Sequence, residues 1–80
     1  MRRRNEIHEE IMEMLEDIGA SKYEQCEDWR GYGVYEPVFD EPCYLGMPMI
    51  ILEDREYDVC FWADGDTTME YLMETAVLEE

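Results

Sequence analysis

From Asn5 onward the chain sets three cations, Lys22, Arg30 and Arg55, against 22 carboxylates, a balance of −19 that any fold must hold at its surface. An unpaired charge is costly to bury, so the acids restrict which positions can face inward. The chain is also 46% apolar, more than a disordered acidic tail carries. Together these imply a folded body inside an anionic shell, destabilised to some degree by self-repulsion. Its 80 residues suit one small domain, 1–80, with a modest core. Such a shell repels nucleic acid and anionic membranes and attracts surfaces rich in Lys and Arg. Charge that serves only solubility has no need to be grouped, and here it is grouped.

The grouping is plainest in NEIHEEIMEMLEDIG, residues 5–19. Ile7, Ile11, Met14, Leu15 and Ile18 form one apolar stripe at helical spacing. Asn5 suits an N-cap and Gly19 a C-terminal stop. Glu6, Glu10, Glu13 and Asp17 make one acidic row, and Glu9, Glu13 and Glu16 a second, with no lysine four residues on. Neighbours in such rows stand about 5–6 Å apart at Cβ and repel. A helix built for stability alone would alternate its signs.

The following segment, ASKYEQCEDWRG (20–31), reads as a loop, and YGVYEPVF as a first strand with Pro37 favouring an edge position. DEPCYLGMP is a turn-rich connector. MIILE (49–53) is a continuous apolar strand and EYDVCFW (56–62) an alternating one, joined by a tight turn at Asp54-Arg55. The alternation places Tyr57, Val59 and Phe61 inward. The last element is a helix over 67–78, capped by Asp66 or Thr67, with Thr67 and Glu70 spaced as a capping box. The expected fold is therefore α+β: helix, three-stranded antiparallel sheet, helix (αβββα), both helices on one sheet face. The far side of MIIL would then be covered by the 20–31 loop and Trp29, or left exposed near Trp62 and Tyr57 for a dimer or partner.

Few residues suggest site chemistry. DGDTTMEYLMET echoes a calcium loop at Asp64 and Asp66, but Thr68, Met69 and Thr75 stand where a ligand, the loop glycine and the bidentate glutamate belong. Those two aspartates fit turn and cap positions better. Cys26, Cys43 and Cys60 lie 17 residues apart each time, without the close pairs of a zinc site. There is one His (His8), one Ser (Ser21) and one Lys (Lys22), from which no nucleophile, base and orienter assemble at a known spacing. The chain is read as non-enzymatic, with no metal or cofactor. Arg2, Arg3 and Arg4 are too few for a nucleic-acid footprint. No apolar segment follows them as in a signal peptide, and no run approaches a membrane span, so a cytoplasmic location is expected.

What remains is acid in groups: Glu10, Glu13 and Asp17 on the first helix, Glu53, Asp54, Glu56 and Asp58 at the hairpin, and Asp64, Asp66 and Glu70 around the second helix, with Trp62 as an aromatic anchor. DNA presents phosphates at about 3.4 Å per strand step, and proteins that bind it meet them with Lys and Arg. Carboxylates pre-arranged on a helix and hairpin can occupy the same cleft. In size, charge and coarse helix–sheet layout the whole chain resembles the small acidic nucleic-acid mimics encoded by phages, anti-CRISPR proteins above all, though without a shared motif. The resemblance implies a stoichiometric inhibitor, monomer or homodimer, that blocks the basic nucleic-acid-binding surface of a target such as a CRISPR effector. The alternative is a non-catalytic interaction module, antitoxin-like or adaptor, that uses an exposed sheet face.

Overall fold

Alternation along the strands determines how the layers assemble. A computed structural model of the chain describes residues 4–40 and 49–77. The order is α1 (Arg4–Ile18), β1 (Lys22–Trp29), β2 (Tyr32–Val38), β3 (Ile51–Asp54), β4 (Val59–Trp62) and α2 (Gly65–Val77). The sheet has four strands in the order β1-β2-β3-β4, every pair antiparallel. The α+β class stands, but the expected three-stranded αβββα layout does not. The segment expected to be a loop is β1.

The helices also pack on opposite faces rather than on one. Val34 and Tyr35 are consecutive on β2, as are Ile51 and Leu52 on β3, so the members of each pair point to opposite sides. Tyr35 and Ile51 pack with Ile11 and Leu15 of α1, while Val34 and Leu52 pack with Trp29, Ile50 and Tyr71 of α2. The continuous apolar run of β3 is thus buried on both faces. Trp29 does cover Ile50 and Leu52, but from a strand.

Helix α1 starts at Arg4, so Asn5 lies inside it and is not its cap. It ends on Gly19 at φ 75°, with Ala20 N–H donating to Leu15 O at 3.0 Å and Gly19 N–H to Glu16 O at 3.3 Å. This is the Schellman arrangement, in which glycine removes the Cβ penalty of a left-handed residue. Ala20, just beyond it, packs on the α1 core. For α2 the cap is Asp64, whose Oδ1 accepts the Thr67 N–H at 2.7 Å. Neither Asp66 nor Thr67 takes that role, because the helix begins two residues before Thr67, at Gly65. The expected end at Leu78 lies outside the described residues.

The strands differ from expectation in physically simple ways. Tyr32–Val38 is an internal strand despite Pro37; β3 pairs only with Gly33–Tyr35, so Pro37 lies beyond the reach of that ladder. The β1–β2 turn puts Arg30 and Gly31 at φ 53° and 84°, the two left-handed centres of a type I′ hairpin. The β3–β4 connection is a four-residue loop, Arg55–Asp58, not a two-residue turn. Asp54 Oδ1 starts it by accepting the N–H groups of Glu56 and Tyr57 at 3.0 and 3.2 Å. The inward row of β4 is reversed: Cys60 is buried and Trp62 packs on the α1 core. Tyr57, Val59 and Phe61, expected inside, are 74%, 40% and 37% exposed. Val59 and Phe61 point to the α2 side, Tyr57 lies in the loop before β4, and α2 settles over Trp29, Cys26 and Tyr32, toward β1 and β2.

Candidate functional site

The stripe Ile7, Ile11, Leu15 seats α1 across the sheet, so its two flanks overhang different strands. One flank brings His8 against Tyr23 of β1, with His8 Nδ1 2.7 Å from the Tyr23 hydroxyl oxygen. The other brings Glu10, Glu13, Met14 and Asp17 beside Cys60, Phe61 and Trp62 of β4, with Glu16 completing the wall. The result is a groove of about 700 Å³ with acids along the helix side and an apolar strand along the other. Since β4 ends the sheet order, no described strand pairs with its outer edge. Four of the residues expected to bind a partner, Glu10, Glu13, Asp17 and Trp62, meet in this groove. Among the described residues, no cation lies within ion-pair distance of Glu13, Glu16 or Asp17.

The other expected acids are dispersed, and several have structural duties. Glu53 is not at an outward hairpin tip; it is 6% exposed and its Oε1 accepts the Tyr35 hydroxyl at 2.9 Å. Asp54 holds the loop, and Asp64 holds the start of α2. The amide of Thr67 stabilises the ionised form of Asp64 and lowers its carboxyl below the ordinary value. Asp66 is exposed in the first turn of α2 and Glu56 in the β3–β4 loop. Asp58 sits at φ 56°, where an aspartate is tolerated better than most residues. Glu70 accepts a hydrogen bond from Arg30 at 2.7 Å, and Glu74 accepts another from the same guanidinium. Arg30 also lies 4.4 Å from the centre of the Trp29 ring. Arg55 donates two hydrogen bonds to Asp28, at 2.7 and 2.9 Å, which lowers the Asp28 carboxyl. Arg30 and Arg55 are thus committed to acids of α2 and the sheet, and neither pairs with Glu13, Glu16 or Asp17 of α1.

A second cleft, of about 690 Å³, lies at the other end of that face. His8, Tyr23, Gln25, Tyr35, Glu53 and Arg55 line it, with Asn5 and Ile7 above. Tyr23 meets Tyr35 edge to face at 5.5 Å. Burial first, and the hydrogen bond to Glu53 second, push the Tyr35 hydroxyl up, so it remains a donor. Neither periodicity nor motif points to this cleft. Its one sequence signal is Gly33, opposite Glu53 in the register: a Cβ there would stand 2.7 Å from Glu53 Oε1.

Candidate reactive groups are quiet. Burial, more than the nearby Glu36 and Glu24, pushes the Cys26 thiol up, away from the reactive thiolate. Ser21 donates to Val38 O and lies 3.0 Å from Asp40 Oδ1. Among the described residues no group of three or more His, Cys, Asp or Glu side chains is placed to hold a metal ion, and no helix is long and apolar enough to cross a membrane. Cys43 and Arg2 and Arg3 lie outside the described residues. No protein-family model, no curated protein and no solved structure matches this chain.

Proposed function

We propose that this protein is a non-catalytic, stoichiometric inhibitor that docks its acidic α1 side onto the basic nucleic-acid-binding surface of a target protein, with CRISPR effectors the first candidates. The observation that carries the reading is the groove in which Glu10, Glu13 and Asp17 stand beside Trp62 at the outer edge of β4, which no described strand pairs. Acids held on a packed helix lose little freedom on docking, and an adjacent aromatic supplies the desolvated anchor that protein interfaces favour. Arg30 and Arg55 are already paired with other acids, so they do not neutralise Glu13 and Asp17. The test is displacement of labelled DNA from candidate effectors by the full chain, repeated from about 50 to about 200 mM salt. Displacement at one equivalent that weakens with salt supports the reading, and failure to displace from any of them opposes it.

A second reading has its own observation. Tyr57, Val59, Phe61, Met69 and Met73 are large apolar side chains left exposed, a set suited to an interaction module that binds through apolar contact. Binding to a target that is indifferent to salt would select it.

A further inference from the structure

The outer edge of β4, which no described strand pairs, joins two surfaces of different character. On the α1 side its side chains are Cys60 and Trp62, facing the wall of Glu10, Glu13, Glu16 and Asp17. On the opposite side they are Val59 and Phe61, half exposed because α2 settles toward β1 and β2. Natural sheets blunt such edges with Lys, Pro or a bulge. The opposite edge strand, β1, follows this rule, with an irregular register between Cys26 and Trp29 and the acids Glu24, Glu27 and Asp28 along it. VCFW has none of these devices.

We propose that β4 takes up an extended segment of the partner protein as a fifth strand, and that this segment alternates basic and apolar residues. The proposal rests on the inhibitor reading above and specifies its mode of contact. A strand laid beside β4 must alternate its side chains between the two faces. Those on the α1 side enter the acidic groove, where Lys or Arg is complementary to Glu13 and Asp17. Those on the other side cover Val59 and Phe61, which exclude water only under an apolar neighbour. One occupant therefore accounts for both Glu13 and Asp17, which no described cation pairs, and the exposed apolar row. The lengths agree: four strand residues extend about 13 Å, and the rise from Glu10 to Asp17 along α1 is about 10 Å. A second copy of this chain is the wrong occupant, because edge-to-edge pairing of two β4 strands would bring two acidic walls together at close range.

The probe is a capped eight-residue peptide alternating Arg and Val, titrated into the full chain and followed by backbone amide NMR. Three companions accompany it: the same peptide with Gln for Arg, the same peptide N-methylated at alternate residues, and the E13K/D17K variant of the protein. The expected result is saturable movement of the Val59, Cys60, Phe61 and Trp62 amides. Each companion should weaken binding about tenfold, as loss of one or two hydrogen bonds or charge contacts does. If the N-methylated peptide binds as well as its parent, the ladder is absent and the proposal fails. Shifts that avoid β4, or a dimer that forms through β4 without peptide, overturn it as well. Should the chain displace DNA from an effector while the peptide leaves β4 unmoved, the docking mode is wrong and the inhibitor reading stands. Should the peptide bind at β4 while no effector is displaced, the edge is a peptide site and the inhibitor reading falls.

Discussion

Tyr35 donates its hydroxyl hydrogen to Glu53 Oε1 at 2.9 Å across the β2–β3 pair, and both side chains are buried. This contact ties down an acid that the sequence places at a surface cluster. Tyr35→Phe removes the donor and leaves the Glu53 carboxylate under-satisfied, at a cost of about 2 kcal/mol. Glu53→Gln keeps an acceptor for the same hydroxyl and should cost less. Urea unfolding of the two variants checks the order, and equal loss in both would contradict it.

Gly33 depends on the same contact. A Cβ at this position meets Glu53 Oε1 at 2.7 Å and Arg55 Nη2 at 3.2 Å. The Glu53 oxygen cannot swing away without giving up Tyr35, so Gly33→Ala should cost about 1–3 kcal/mol. In the Tyr35→Phe background the carboxylate is freer to move, and the penalty should shrink. A double-mutant cycle measures that coupling.

Asp64 sets a pH dependence. Its folded carboxyl titrates below the ordinary value of 3.8 because it accepts the Thr67 amide. The sign follows: the contribution is fully present above 3.8, and it is lost as pH falls below that point and through the lowered folded value. Asp64→Ala should lower the melting midpoint by about 5 °C at neutral pH. The gap from the parent should narrow progressively in acid, as thermal scans from neutral pH down to about pH 2 would register.

Arg30 combines a left-handed backbone, φ 53°, with the clamp on Glu70 and Glu74. Arg30→Gly removes the clamp but fits the turn, whereas Arg30→Ala removes the clamp and keeps the strain. The alanine variant should unfold at lower urea than the glycine variant. The advantage of the parent over Arg30→Gly should fade as salt rises toward about 1 M, since the ion pairs are exposed. An advantage that is constant with salt would assign the stabilisation to the Trp29 contact instead.

What the sequence made legible follows from how strongly each pattern is repeated. The stripe from Ile7 to Ile18 and the run Ile50–Leu52 are long and uniform, so α1 and β3 were readable, and the Schellman glycine at Gly19 was too. KYEQCEDW was not readable as a strand. Its buried or half-buried members, Tyr23, Cys26 and Trp29, are spaced three apart: Tyr23 packs on the α1 side and Cys26 on the α2 side, and the irregular register after Cys26 puts Trp29 on the α2 side as well. In β4 the alternation was correct and its direction was not. Tyr57, Val59 and Phe61 are the more apolar set, but only the position of α2 decides which face is covered, and helix placement is not a local property. The acids divided for the same reason: Glu13 and Asp17 belong to a helix flank that periodicity reveals, while the role of Glu53 depends on Tyr35, which is 18 residues away.

Stability and binding should separate on α1. Glu13 and Asp17 line the groove, whereas Glu56 and Asp66 are exposed acids outside it. E13K also places a lysine four residues after Glu9, the favourable order for a helical ion pair, and relieves a like-charge row. The E13K/D17K protein should therefore melt no lower than the parent while losing about tenfold or more in displacement of DNA from a target. Glu56→Lys and Asp66→Lys, which change the net charge by the same amount in total, act only through the long-range field and should lose about threefold or less at physiological salt, where screening is effective beyond about 8 Å. Melting curves and displacement titrations on the same samples decide the matter. Equal loss from the two pairs would mean that net charge alone drives binding and that the groove has no special part. Loss of binding together with loss of fold in E13K/D17K would mean that these acids are structural, contrary to their exposed, unbridged positions on the helix.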